Sequence, residues 1–165
     1  MLSDSVDKIM SAIETEDAMQ LRQLSREFSE DAVTDQSREN IDLAMITYCL
    51  NKLFSKVHFK ENLAELKQTV AAELSSGNFE AVLDEIKKFD QEFGAFEGTL
   101  VNKARIKVGA RLYSNGLSLS QSASMTDVSV SDILAYVGAT KTHEKIKPMN
   151  VSERYSFAKK ILGNE

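Results

Sequence analysis

The sequence predicts an all-α fold, an N-terminal helical bundle with a smaller helical module behind it, on three observations. One proline and seven glycines in 165 residues leave few helix breakers. Apolar residues recur at intervals of three and four along nearly the whole chain. No segment alternates apolar and polar residues long enough to predict a strand.

Val6, Ile9, Met10 and Ile13 share one helical face behind Ser3 or Asp4, which predicts a first helix. Thr15 is the expected cap of a second, whose stripe includes Leu21, Leu24 and Phe28. The polar stretch 29–37 is expected to be a loop or a frayed end. From Asn40 to Val57 few positions are polar, and Ile41, Leu43, Met45, Ile46, Leu50 and Leu53 surround the helix axis. A helix apolar nearly all round is normally enclosed by others, so this one is the expected centre of the bundle. Leu63, Leu66, Val70 and Leu74 mark a fourth helix, ended by Gly77 or Asn78 in a left-handed cap. Phe79, Val82, Leu83, Ile86, Phe89 and Phe93 mark a fifth.

Gly94 and Gly98 bracket the expected boundary between an acidic bundle, 1–95, and a basic module, 96–165. Residues 101–165 hold ten Lys and Arg against five acids, and residues 1–100 hold ten against twenty, within a net charge of −5. Two halves with separate functions and two halves that attract each other both account for this division.

Within the module, Val101, Ala104, Val108 and Leu112 predict a helix from Thr99 to Ser114, stopped by Asn115 and Gly116. A short helix from Leu117 to Met125 and a tight connection over 126–129 follow. The next helix starts at Ser129 or Ser131, runs to Tyr136 or Val137, and is closed by Gly138. Ser129 and Asp132 have capping-box spacing. Residues 139–149 read as a loop ended by Pro148. Val151, Tyr155, Ala158, Ile161 and Leu162 form the apolar face of a last helix, expected to pack on the module or, as the alternative, to serve as a dimerisation arm.

These helices resemble the helix-turn-helix superfamily. Ala123 stands where a small residue lets the second helix approach, Asp127 at the turn and Val128 beneath it. Ile133, with Tyr136 or Val137, fills the anchoring positions. Asp127 departs from the glycine commonest at that turn, but aspartate tolerates a left-handed backbone better than most residues. The stretch 111–118, the stretch 132–138 and the apolar helix around Ala44 to Phe54 are similar to a group of archaeal helix-turn-helix proteins. The resemblance implies a DNA-binding regulator or an antitoxin-like protein, and brings no established activity with it.

Lys103, Lys107 and Arg111 lie at i, i+4 and i+8, one basic stripe on the helix preceding the motif. Lys141, Lys145 and Lys147 follow the motif. Cations flanking a groove-binding helix are what neutralisation of phosphates requires. The recognition helix itself would present Ser129, Ser131 and Asp132, without the Arg, Lys, Asn or Gln that grips a purine edge. Contact with double-stranded DNA is therefore expected to be weak or led by shape, with the N-terminal bundle serving for dimerisation or a protein partner. The alternative is a protein-interaction adaptor or antitoxin-like inhibitor, in which the motif packs or binds protein, since fold alone does not fix function.

Enzymatic chemistry is not expected. His58 and His143 are the only histidines, and Cys49 precedes His58 by nine residues, so no pair has metal-ligand spacing. Cys49 lies in the most apolar helix, where a thiol is normally inert packing. The carboxylates occupy polar helix faces, and no Gly-rich phosphate loop occurs, so no cofactor is expected. The acidic first residues, the shortness of the longest apolar stretch and the lone cysteine lead to the expectation of a cytoplasmic protein without membrane contact.

Overall fold

The structure, a computed structural model, describes residues 2–94, 96 and 98–141. Among the described residues the regular elements are helices throughout. These are α1 (Leu2–Glu14), α2 (Ala18–Asp35), α3 (Arg38–Phe54), α4 (Leu63–Ser76), α5 (Phe79–Phe93), α6 (Leu100–Ser114), α7 (Leu119–Thr126) and α8 (Val130–Lys141), with a 3-10 turn over Val57–Phe59. The all-α expectation holds for these residues, and none of the helices is long and apolar enough to cross a membrane.

Several boundaries differ from the sequence reading. The α7 helix, expected from Leu117 to Met125, runs from Leu119 to Thr126 because Ser118 caps it. Asp17, not Thr15, caps α2, accepting a hydrogen bond from the Gln20 amide at 2.9 Å; the Thr15 hydroxyl turns back to the Ser11 carbonyl. The polar stretch after Phe28 is helical to Asp35, because Ser29 and Ala32 are fully buried and continue the inner face. Buried serines look polar in sequence, yet here the Ser29 hydroxyl bonds its own helix at the Ser25 carbonyl, which removes the cost of burying it. Finally, α8 continues through Gly138 to Lys141, so residues 139–141 are helical where a loop was expected. Lys145, Lys147, His143 and the expected last helix lie outside the described residues.

The centre of the fold is α3, as its composition predicts. It packs against α2, α5 and α6, and Ile41, Leu43, Met45, Ile46, Leu50 and Leu53 are all buried. The thiol of Cys49 is fully buried among them, and that burial, with Asp90 nearby, pushes its pKa far above the ordinary thiol value. Such a thiol is not a nucleophile at neutral pH.

Gly77 ends α4 in a left-handed conformation at φ 77°, and Asn78 begins α5 by capping the Ala81 amide. The link from α5 to α6 is tied by Asp90. Its buried carboxylate accepts the Leu100 amide at 2.7 Å, a negative charge at the start of α6 where the helix leaves amides unpaired. Consequently α6 does not stand apart from the bundle. Leu100, Val101, Ala104, Val108 and Leu112 belong to the same core cluster as α3. On another face of α6, Ala110 joins Ala123 and Ile133 in a second, much smaller cluster.

Candidate nucleic-acid interface

The corner between α7 and α8 is specified by local hydrogen bonds. Ser118 and Gln121 form a full capping box at the start of α7, each side chain accepting the other residue's amide. Asp127 ends α7 in the left-handed region, φ 53° and ψ 43°, and the Val128 amide returns to the Ala123 carbonyl. Ser129 then starts α8. Its Oγ accepts the Asp132 amide at 3.1 Å and donates to the Asp132 carboxylate at 2.7 Å. The Asp132 side chain thus meets the serine hydroxyl rather than its amide, a shortened version of the capping box.

The residues assigned to the motif core meet at this corner. Ala123 and Ile133 are buried, Val128 and Tyr136 half-buried against them, and Asp127 is exposed at the turn. The close approach depends on Gly109 of α6, which the sequence pattern does not single out. A Cβ there would lie 2.7 Å from the Thr126 Oγ1 and 3.0 Å from the Ile133 Cδ1. Thr126 cannot simply swing away, because its hydroxyl is committed to the Ser122 carbonyl at 2.7 Å. Arg38, at the start of α3, fastens the corner from outside. It donates to the Met125 carbonyl at 3.3 Å and pairs with Asp127 at 3.2 Å and Asp42 at 3.1 Å. Burial raises the Asp42 carboxyl above its ordinary pKa despite that partner.

Ser129, Ser131 and Asp132 are all exposed on the first turn of α8, next to fully buried Ile133. Asp132 and Tyr136 are one turn apart on the same face. The basic stripe of α6 adjoins that face but does not remain a free row of charges. Lys103 is exposed near the Phe96 ring. Lys107 donates to the Tyr136 hydroxyl at 2.6 Å and sits 4.9 Å from its ring centre. Arg111 turns to α2, donating to the Ser25 carbonyl at 3.1 Å and hydroxyl at 2.8 Å. The Ser25 hydroxyl in turn donates to the Ala44 carbonyl of α3. Lys141 is the last residue of α8.

Comparison with protein-family models, curated proteins and solved structures finds no match for this chain.

Lys107 and Arg111 enter a cleft that sequence spacing missed, where Arg22 and Arg26 of α2 and Lys52 of α3 join them. Burial, then the nearby positive charge of Arg26, draws the Arg111 guanidinium below its ordinary pKa. Burial raises the Tyr48 hydroxyl in the same cleft. Arg22 and Arg26, four apart on one helix, were a legible signal; their meeting with α6 across the bundle was not.

Proposed function

We propose that the protein is a DNA-binding regulator that uses the α7–α8 corner as a helix-turn-helix, with the α1–α5 bundle available for dimerisation or a protein partner. One observation carries this reading: α8 is anchored through Ile133 while its capped first turn faces outward. A helix held by its inner face with a free N-terminal turn is what docking in a major groove requires. Ser129, Ser131 and Asp132 are bonded to one another on this turn, the two hydroxyls 2.8 Å apart. Contact with phosphates or bases therefore exchanges those bonds, and Asp132 can serve a base only by accepting from an amino group. Lys103 is exposed on the neighbouring helix for phosphates, whereas Lys107 and Arg111 are turned to Tyr136 and Ser25; Lys141, Lys145 and Lys147 follow in sequence. Such a surface favours shape-led contact over base readout.

A second reading has its own support. Val130 and Leu134, one turn apart on α8, are 39% and 48% exposed. An apolar pair on an outward face suits a protein partner, as in an adaptor or antitoxin-like inhibitor.

Retardation of random-sequence duplex DNA across a salt series separates the two. Regulator behaviour is a linear fall of log affinity with log salt, with a slope of about −0.9 per phosphate neutralised. Absence of retardation at low salt removes the DNA reading and leaves the adaptor.

A further inference from the structure

The cleft where α2, α3, α6 and α8 meet has a composition that folding does not explain. Its volume is about 340 Å³, and five of its ten lining residues are cations: Arg22, Arg26, Lys52, Lys107 and Arg111. None of the ten is acidic, in a chain whose acids outnumber its Lys and Arg by 25 to 20. Among the described residues no carboxylate forms an ion pair with any of the five. We propose that this cleft binds a small phosphorylated anion carrying at least two negative charges, whether or not duplex DNA docks on α8.

Depth within the cleft sorts the cations. Half-buried Arg111 and Lys107 stand at its floor and are held in place by Ser25 and Tyr136. Both partners are neutral, so these bonds fix direction without cancelling charge. Arg22, Arg26 and Lys52 are exposed and form the rim. Like charges this close repel, and the effect of Arg26 and Arg22 on Arg111 has the corresponding sign. A polyanion turns each repulsion into an attraction, most strongly at the partly desolvated floor.

The shape and donors select the class of anion. Guanidinium groups present planar forks that match phosphate oxygens, and Lys adds point charges. The Tyr48 hydroxyl also lines the wall. A single carboxylate would leave most of the five charges facing one another; a diphosphate would not. The volume is near the lower end of ligand pockets, roughly 300–1,000 Å³, which suits a compact phosphate ester rather than an extended strand. Because Tyr136 belongs to α8 and the rim to α2 and α3, an anion bound here bridges the bundle and the corner.

The test is calorimetric titration of inorganic pyrophosphate into the full chain at ionic strength fixed with sodium chloride. The expected result is saturable binding at one site per chain, accompanied by a higher Tm. Arg22→Ala/Arg26→Ala, which removes two exposed rim side chains, should weaken binding at least tenfold while leaving the Tm without pyrophosphate unchanged. Lys87→Ala/Lys88→Ala on α5, an equal loss of charge outside the cleft, should bind as the parent does. No binding to the parent overturns the proposal, as does equal weakening in both double variants. So does a cleft that ignores pyrophosphate but whose rim variant loses duplex DNA, which would make it a nucleic-acid surface instead.

Discussion

Around α3 the molecule is held by area; behind α6 it is held by fit. The bundle buries one continuous apolar cluster that reaches from Ile9 to Leu117 and draws on every helix from α1 to α6. Among the described residues, the α7–α8 corner closes on three buried apolar side chains, Ala110, Ala123 and Ile133. What the corner lacks in apolar area is made up by particular contacts: the missing side chain at Gly109, the caps at Ser118 and Ser129, and Arg38 across the turn. Loss of one apolar residue from the bundle leaves many others in place, whereas each contact at the corner has few substitutes. The part that presents the candidate interface is therefore the part with the least cooperative support.

Leu50→Ala, in the middle of α3, should cost about 2–5 kcal/mol of global stability in urea unfolding. Ile133→Ala deletes a side chain just as buried, yet it should act mainly on the corner. Amide exchange should quicken across α7 and α8 while the amides of α3 keep most of their protection. Equal loss of protection in both regions would mean that the two clusters unfold as one.

Gly109→Ala is next. Alanine is the better helix former by about 1 kcal/mol, but overpacking costs about 1–3 kcal/mol. A net loss of about 0–2 kcal/mol is expected, with Tyr136 and Lys107 shifted, readable from the Tyr136 ring signals by NMR. A variant more stable than the parent would show that α6 and α8 do not need this approach. The smallest effect should come from Asp127→Gly. Glycine relieves the left-handed backbone at φ 53°, while losing an exposed pair with Arg38 worth about 0–1 kcal/mol. The two nearly cancel, so urea unfolding should change by less than about 0.5 kcal/mol. A larger loss would assign Arg38 a greater share in fastening the corner.

The bundle was the more legible region in sequence, for a physical reason. Apolar periodicity reports burial area, and area is what builds α3 and its neighbours. The same signal placed α6, with Val101, Ala104, Val108 and Leu112 buried as expected. It failed after Phe28, where Ser29 is polar in composition but buried by bonding its own backbone. At the corner, motif spacing located Ala123, Asp127 and Ile133, because backbone conformation and close packing restrict residue type there. Gly109 and Arg38 escaped notice, since their roles depend on partners distant in sequence. Charge was the least legible property. The split between an acidic front and a basic back concealed Arg22, Arg26 and Lys52, which lie in the acidic half yet converge with Lys107 and Arg111. Spacing along one helix identifies a row of cations; only tertiary packing determines whether that row is free, tied to a neighbour, or part of a cleft.

We propose that the outward first turn of α8 is the surface that meets the double helix. Ser131→Glu is the decisive variant, since Ser131 is exposed there and a carboxylate would face phosphate. Titrated with a random-sequence duplex at low salt, the parent should retard it, and the variant should lose at least tenfold in affinity with an unchanged Tm. Equal retardation by parent and variant would contradict the account and move the contact away from α8.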